Sequence, residues 1–234
     1  MITQCLLALS LLAMQRPHPV LAVSVDQEQA AINRDGVFIQ STAREALLAS
    51  SIIPDVLDDF VPRFSLQLTY PATHTTVSLG NEIPPSHVRK PPVFDFYPFT
   101  PSPSLETARS NKTYILVLTD PDAKSRKNPI WSEMCHWVVT NVTSPELGGP
   151  GDPGEPPVSA VLKSYLPPNP PAGTNWHRYV FVLMAADQTQ AEKLQAPKRR
   201  KHWGYGEVRH GVRDWANEYK LQVLGANFFY SKSE

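Results

Sequence analysis

Residues 119–136 read TDPDAKSRKNPIWSEMCH, and the fold can be built outward from this stretch. Immediately before it stands the apolar run Tyr114-Ile115-Leu116-Val117-Leu118, whose length predicts a buried strand. Asp-Pro-Asp directly after such a run is a turn, because proline presets φ and aspartate side chains bond nearby backbone amides. Asp120 and Asp122 are thus expected at the rim of a sheet, with His136 opening a neighbouring strand over Trp137–Val142. Strand ends hold groups that are exposed yet rigidly placed, which makes this stretch a candidate site.

Upstream, residues 23–40 have weak periodicity and are expected to be irregular. Thr42 with Glu45 forms a capping-box pattern ahead of helix formers from Ala43 to Ser50. Pro54 suits the first turn of a second short helix carrying Val56, Leu57 and Phe60. Phe64–Tyr70 alternates cleanly and predicts a half-buried strand ended by Pro71, with a second strand over Thr75–Leu79. From Glu82 to Glu106 prolines and aromatics predict a long ordered loop anchored by Val93, Phe94, Phe96 and Phe99.

Downstream, a second loop over 144–157 contains Gly148-Gly149-Pro150-Gly151, but no Lys-Ser/Thr pair makes it a phosphate cradle. Val158–Leu166 predicts a strand, and His177-Arg178-Tyr179 opens another apolar run reaching Met184. Val208, Val212, Trp215 and Tyr219 form one helical stripe, with Gly225 as its C′ residue. The basic run Pro197–His202 reads as a solvated surface or as a contact with anionic headgroups. The fold class expected is mostly β, an antiparallel sandwich with short peripheral α-helices.

The chain has 234 residues, enough for one domain with a sizeable core. Lys and Arg total 22 against 22 Asp and Glu, a balance that argues against a nucleic-acid binder relying on a basic surface. Cys5–Met14 is an apolar core too short to span a bilayer, and Val20-Leu21-Ala22 follows as a cleavage site. The expectation is a secretory signal over 1–22, a single domain over 23–234, no transmembrane segment, and a secreted or secretory-lumen location. Sequons at Asn111 and Asn141 agree with that route. Loss of Cys5 would leave Cys135 as the only thiol and no intramolecular disulfide.

Several chemistries can be weighed at the candidate site. No Gly-x-Ser-x-Gly elbow occurs, which counts against a Ser-His-Asp hydrolase. Cys135 and His136 are neighbours on a strand and point to opposite faces, so the thiol reads as buried packing. His136, His177 and Asp120 match no metal spacing, and no metal or cofactor is expected. What remains is an anion pocket, in which histidine N–H groups, a tyrosine hydroxyl and backbone amides hold a phosphate or carboxylate. An aspartate behind a histidine would fix its tautomer or stabilise its cation.

YILVLTDPDAKSR (114–126), the Cys135-His136-Trp137 strand start and PPAGTNWHRYVF (170–181) together resemble the phosphatidylethanolamine-binding protein family. Ile52–Leu57 and Leu224–Phe229 look like its fungal members, some of which inhibit a vacuolar serine carboxypeptidase. The resemblance covers residues 45–230 and implies a central β-sandwich with a pocket for phosphate headgroups and small carboxylates. It implies ligand-binding roles for Asp120, Asp122, Lys124, Trp131, His136, Pro170, Pro171, His177 and Tyr179. Lys124 stands where the family usually has proline, and Asn169 where it usually has glycine, so the rim gains a charge and the loop loses freedom at φ > 0. Three functions follow as expectations: binding of a small anionic ligand; an accessory or enzymatic role in fungal secondary metabolism, joining carboxylate or anhydride monomers, with His136, His177 and Asp120 as candidate catalytic groups; or inhibition of a serine carboxypeptidase.

Overall fold

The computed structural model describes residues 40–99, 112–142 and 161–234. The leader, the Asn111 sequon and the glycine-rich loop lie outside the described residues. Residues 40–49 are helical, so Thr42 sits inside the helix and is not its cap. One further turn, Ile52–Asp55, follows with Pro54 inside it.

Among the described residues nine strands come next: β1 Phe64–Tyr70, β2 Thr75–Thr76, β3 Asn81–Glu82, β4 Val93–Pro98, β5 Lys112–Asp120, β6 Met134–Val142, β7 Val161–Lys163, β8 His177–Asp187 and β9 Gln222–Ser231. Short helices Gln188–Ala191 and Val212–Glu218 lie between β8 and β9. The strands form a three-stranded sheet, β2-β1-β4, and a six-stranded sheet, β3-β9-β8-β5-β6-β7. All pairings are antiparallel except β3 with β9, so the large sheet is mixed.

Packing explains why the central strands read as unbroken apolar runs. One face of the large sheet meets the small sheet, where Phe64, Leu66, Phe96, Leu116, Phe181 and Phe229 share a core. The opposite face packs Val117, Val180 and Val182 against Leu47, Ile52, Leu57, Trp203 and Trp215 from the helices and loops. Strands β5 and β8 are covered on both faces, which removes the polar alternation that one wet face would impose. The mostly β architecture with short helices is as expected.

Five local expectations are corrected. Val93–Pro98 is a strand, β4, pairing from Phe64↔Pro98 to Thr69↔Val93, with Phe96 buried between the sheets. The strand expected at Thr75–Leu79 shrinks to two residues, and that at Val158–Leu166 to Val161–Lys163 within the described residues. Val208 is exposed and lies outside the final helix. Gly225 ends no helix but lies inside β9, opposite Leu183. A Cβ there would stand 2.4 Å from the Phe64 carbonyl oxygen, so glycine lets β1 cross β9 closely.

Candidate functional site

The Asp-Pro-Asp turn sends one carboxylate to each face of the large sheet. Asp120 Oδ1 accepts the Asp122 N–H at 2.7 Å, closing the turn as its sequence dictates. Asp120 Oδ2 meets His177 Nδ1 at 2.9 Å, both side chains being almost fully buried. Asp122 turns the other way and grips Arg178 in a two-pronged pair, Nε to Oδ2 at 2.9 Å and Nη2 to Oδ1 at 2.7 Å. The successive residues His177 and Arg178 thus take one aspartate each, because neighbours on a strand face opposite sides.

Arg178 is satisfied throughout. Its Nη1 donates to the carbonyls of Ser50 and Ser51 at 2.9 and 3.0 Å, and its Nη2 also pairs with Asp55 at 3.0 Å. The Asp122 carboxylate is therefore engaged by Arg178, on the face opposite the His177 ring. Its role is to hold the turn.

On the other face His177, Tyr179 and His136 lie in sequence. The His177 and Tyr179 rings stack at 6.4 Å, and the His136 ring meets Tyr179 edge-on at 5.2 Å. Thr174 Oγ1 lies 2.7 Å from the Pro171 carbonyl and 2.9 Å from His177 Nε2, so both ring nitrogens of His177 are engaged, Nδ1 by Asp120 and Nε2 by Thr174.

His136 is held differently. The β5–β6 register runs Leu118↔Trp137 and then Thr119↔Cys135, leaving His136 as the extra residue of a β-bulge. The bulge turns the ring toward Tyr179 while Cys135 stays in the core of the opposite face. Leu166 clamps the residue, its N–H donating to the His136 carbonyl at 2.7 Å and its carbonyl accepting from Nδ1 at 2.7 Å. Nδ1 must carry the proton, and the lone pair stays on Nε2. Burial lowers the His136 pKa, opposed mainly by Asp120, so the ring is neutral.

The other residues divide. Burial first and Asp120 second push the Tyr179 hydroxyl well above its ordinary value. Pro170 is buried and Pro171 exposed. Asn169 is not among the residues with positive φ, whereas Gly173 is, so asparagine costs this loop no conformational freedom. Lys124 and Trp131 contact each other: Lys124 Nζ lies 5.6 Å from the Trp131 ring centre and Lys201 Nζ 4.0 Å. Burial pushes the Cys135 thiol up to about 12, as suits a packing residue. Asn141, the second sequon position, is exposed. No cluster of three or more metal-ligating side chains occurs among the described residues.

One buried group escaped sequence reasoning. Glu133 is fully buried against Gly211, where an added Cβ would stand 2.6 Å from its Cδ. Its Oε2 lies 3.0 Å from the Thr119 hydroxyl, which also accepts from Trp203 Nε1 at 3.0 Å. Its Oε1 has no hydrogen-bond partner among the described residues. Burial pushes this carboxyl up to about 8, against the pull of Thr119, the Val212 N–H and Arg213. A glutamate beside an apolar strand start was the signal available in the sequence.

A two-sheet sandwich carries paired carboxylates and histidines at one strand end, and comparison with known proteins places it in a family. The phosphatidylethanolamine-binding protein family model matches residues 73–229, and the chain belongs to that family. It is 32% identical over 201 residues to the carboxypeptidase Y inhibitor of Saccharomyces cerevisiae, covering 78% of this chain and 91% of that protein. It is 30% identical over 197 residues to the protein TWIN SISTER of FT of Arabidopsis thaliana, covering 82% and 93%. A solved carboxypeptidase Y inhibitor, complexed with its cognate proteinase, superposes with a TM-score of 0.69 at 29% identity, covering 83% of this chain and 97% of that one. A phosphatidylethanolamine-binding protein from Plasmodium vivax shares the fold at 0.63 and 18% identity, covering 82% and 98%.

Two predictions follow from this geometry. Arg178→Ala strands Asp122 without its partner in the interior and is expected to cost roughly 3–5 kcal/mol, read by urea denaturation. A loss within experimental error would remove the pair as the anchor of the turn. Glu133 keeps its proton to about pH 8 in the folded chain, against 4.5 for an ordinary glutamate. Folding therefore takes up a proton between those values. The stabilisation is full below the unfolded pKa and declines as pH rises to the folded one, by up to roughly 1.4 kcal/mol per pH unit. Glu133→Gln should flatten that decline in thermal melts recorded across pH, and parallel profiles would refute it.

Proposed function

We propose that the chain binds a small anion bearing a phosphate or carboxylate group against His136, with Tyr179 and His177 beside it, and without turnover. The observation that supports this reading is the bulged His136, whose Nδ1 is held by Leu166 while Nε2 keeps its lone pair. A neutral ring in that place can take a proton when an anion arrives, and the new N–H then donates a charge-assisted hydrogen bond. Asp120 is already paired with His177, so the charge that His136 gains is compensated by the ligand itself. Lys124 and Trp131 belong to a separate group in this reading, and Asp122 is structural. A role in joining carboxylate or anhydride monomers would use the same His136 atom, because both His177 nitrogens are engaged. Nothing in the geometry favours it over simple binding. The apolar leader and the two sequons support a secretory route for the protein.

Binding should tighten as pH falls, since the anion raises a histidine pKa that burial has lowered. Calorimetry with inorganic phosphate in buffers of different ionisation enthalpy should register proton uptake, and His136→Ala should weaken binding about tenfold and abolish the uptake. Equal affinity and unchanged proton uptake in that variant would sink the reading.

A second reading, inhibition of a serine carboxypeptidase, is favoured by the likeness to the carboxypeptidase Y inhibitor along 91% of that protein's length. Purified protein at micromolar concentration is expected to slow peptide hydrolysis by carboxypeptidase Y. Unchanged hydrolysis would eliminate it.

A further inference from the structure

We propose that the two loops meeting over Trp131 form a docking surface for an anionic lipid bilayer, distinct from the His136 site. Residues 123–131 carry Lys124, Arg126 and Lys127; residues 196–202 carry Lys198, Arg199 and Lys201, and all six cations are exposed. No carboxylate occurs in either run, although the whole chain is balanced at 22 basic and 22 acidic residues. Neither run is long enough to act alone. The fold joins them by stacking Lys124 and Lys201 on one indole and pairing the Lys201 backbone with Met134.

The mounting is rigid. Arg200, between the exposed cations, turns inward and donates to the carbonyls of Cys135, His136 and Ser164. The other loop is closed by the Asn128 N–H to the Ser125 carbonyl at 3.0 Å and the Trp131 N–H to the Ala123 carbonyl at 2.9 Å. Among the described residues none of the six cations forms an ion pair with a carboxylate, and no carboxylate there compensates their charge.

Charge alone would suit any polyanion, and the apolar tip selects the lipid. Ile130 is 45% exposed at the crest of the basic loop, beside the half-buried Trp131. Cations flanking an exposed aliphatic side chain and an indole match a headgroup layer over hydrocarbon, where indole and the stems of lysine are favoured. Each cation near an anionic surface strengthens binding about fivefold.

Flotation of the full chain with phosphatidylcholine vesicles, with and without phosphatidylserine, tests the proposal. Binding is expected only with phosphatidylserine, and it should fall steeply as salt shortens the screening length. The combined variant Lys124→Gln, Lys127→Gln, Lys198→Gln and Arg199→Gln should lose about fivefold per cation removed while keeping the wild-type melting temperature. Ile130→Ser should weaken binding further without changing its salt dependence. A loss of vesicle binding in His136→Ala as large as in the four-cation variant would place the lipid at the anion site and overturn the proposal. Equal binding to both vesicle types, no binding to either, or tighter binding to soluble poly-glutamate than to vesicles would overturn the proposal.

Discussion

The bidentate pair of Asp122 with Arg178 is the interaction on which the strand end depends. A guanidinium has five N–H donors in a fixed plane, and burying it is tolerable only when each has a partner. Here the donors reach Asp122, Asp55 and the carbonyls of Ser50 and Ser51. One side chain therefore joins the β5–β6 turn, the start of β8 and the short helical segment before β1. Because Arg178 is fixed on one face, strand alternation leaves His177 no choice but the other. The same step that anchors the fold aims a histidine at Asp120.

The second constraint is the bulge at His136. A regular β6 would alternate Cys135, His136 and Trp137 between faces, and Trp137 would fall on the same side as Cys135. The extra residue changes the count, so His136 meets Tyr179 while Trp137 still packs between the sheets against Phe94 and Tyr165. Leu166 then binds both backbone and ring of His136, which fixes the tautomer as well as the position. Bulges bend and re-aim strands, and this one serves a site without disturbing the core beneath it.

These two features mark how far the sequence could be read. Phe64–Tyr70, the β5 run and the β8 run were legible because burial imposes a pattern on them, and Asp-Pro-Asp because its turn chemistry is local. Strand β4 was not, since prolines on both sides of Val93–Phe96 read as a loop and only pairing with β1 makes the segment extended. Gly225 looked like a helix stop because the reason for glycine there, the Phe64 carbonyl, comes from a strand far away in sequence. The roles of Asp120 and Asp122 could not be separated beforehand either. Which aspartate takes the histidine and which the arginine depends on the β5–β8 register, a long-range property that no local motif encodes.

Desolvation gives the site its electrostatic character. It raises Glu133 and Cys135 and lowers His136, in every case favouring the neutral form. The buried aspartates are each held by a partner, Asp120 by His177 and Asp122 by Arg178. The strand end keeps a neutral histidine, His136, whose protonation burial disfavours. In the proposed binding an arriving phosphate or carboxylate would supply its missing partner, so charge on the protein and charge on the ligand would appear together. Selection would then rest on a ligand's ability to share a proton with Nε2 as much as on its shape.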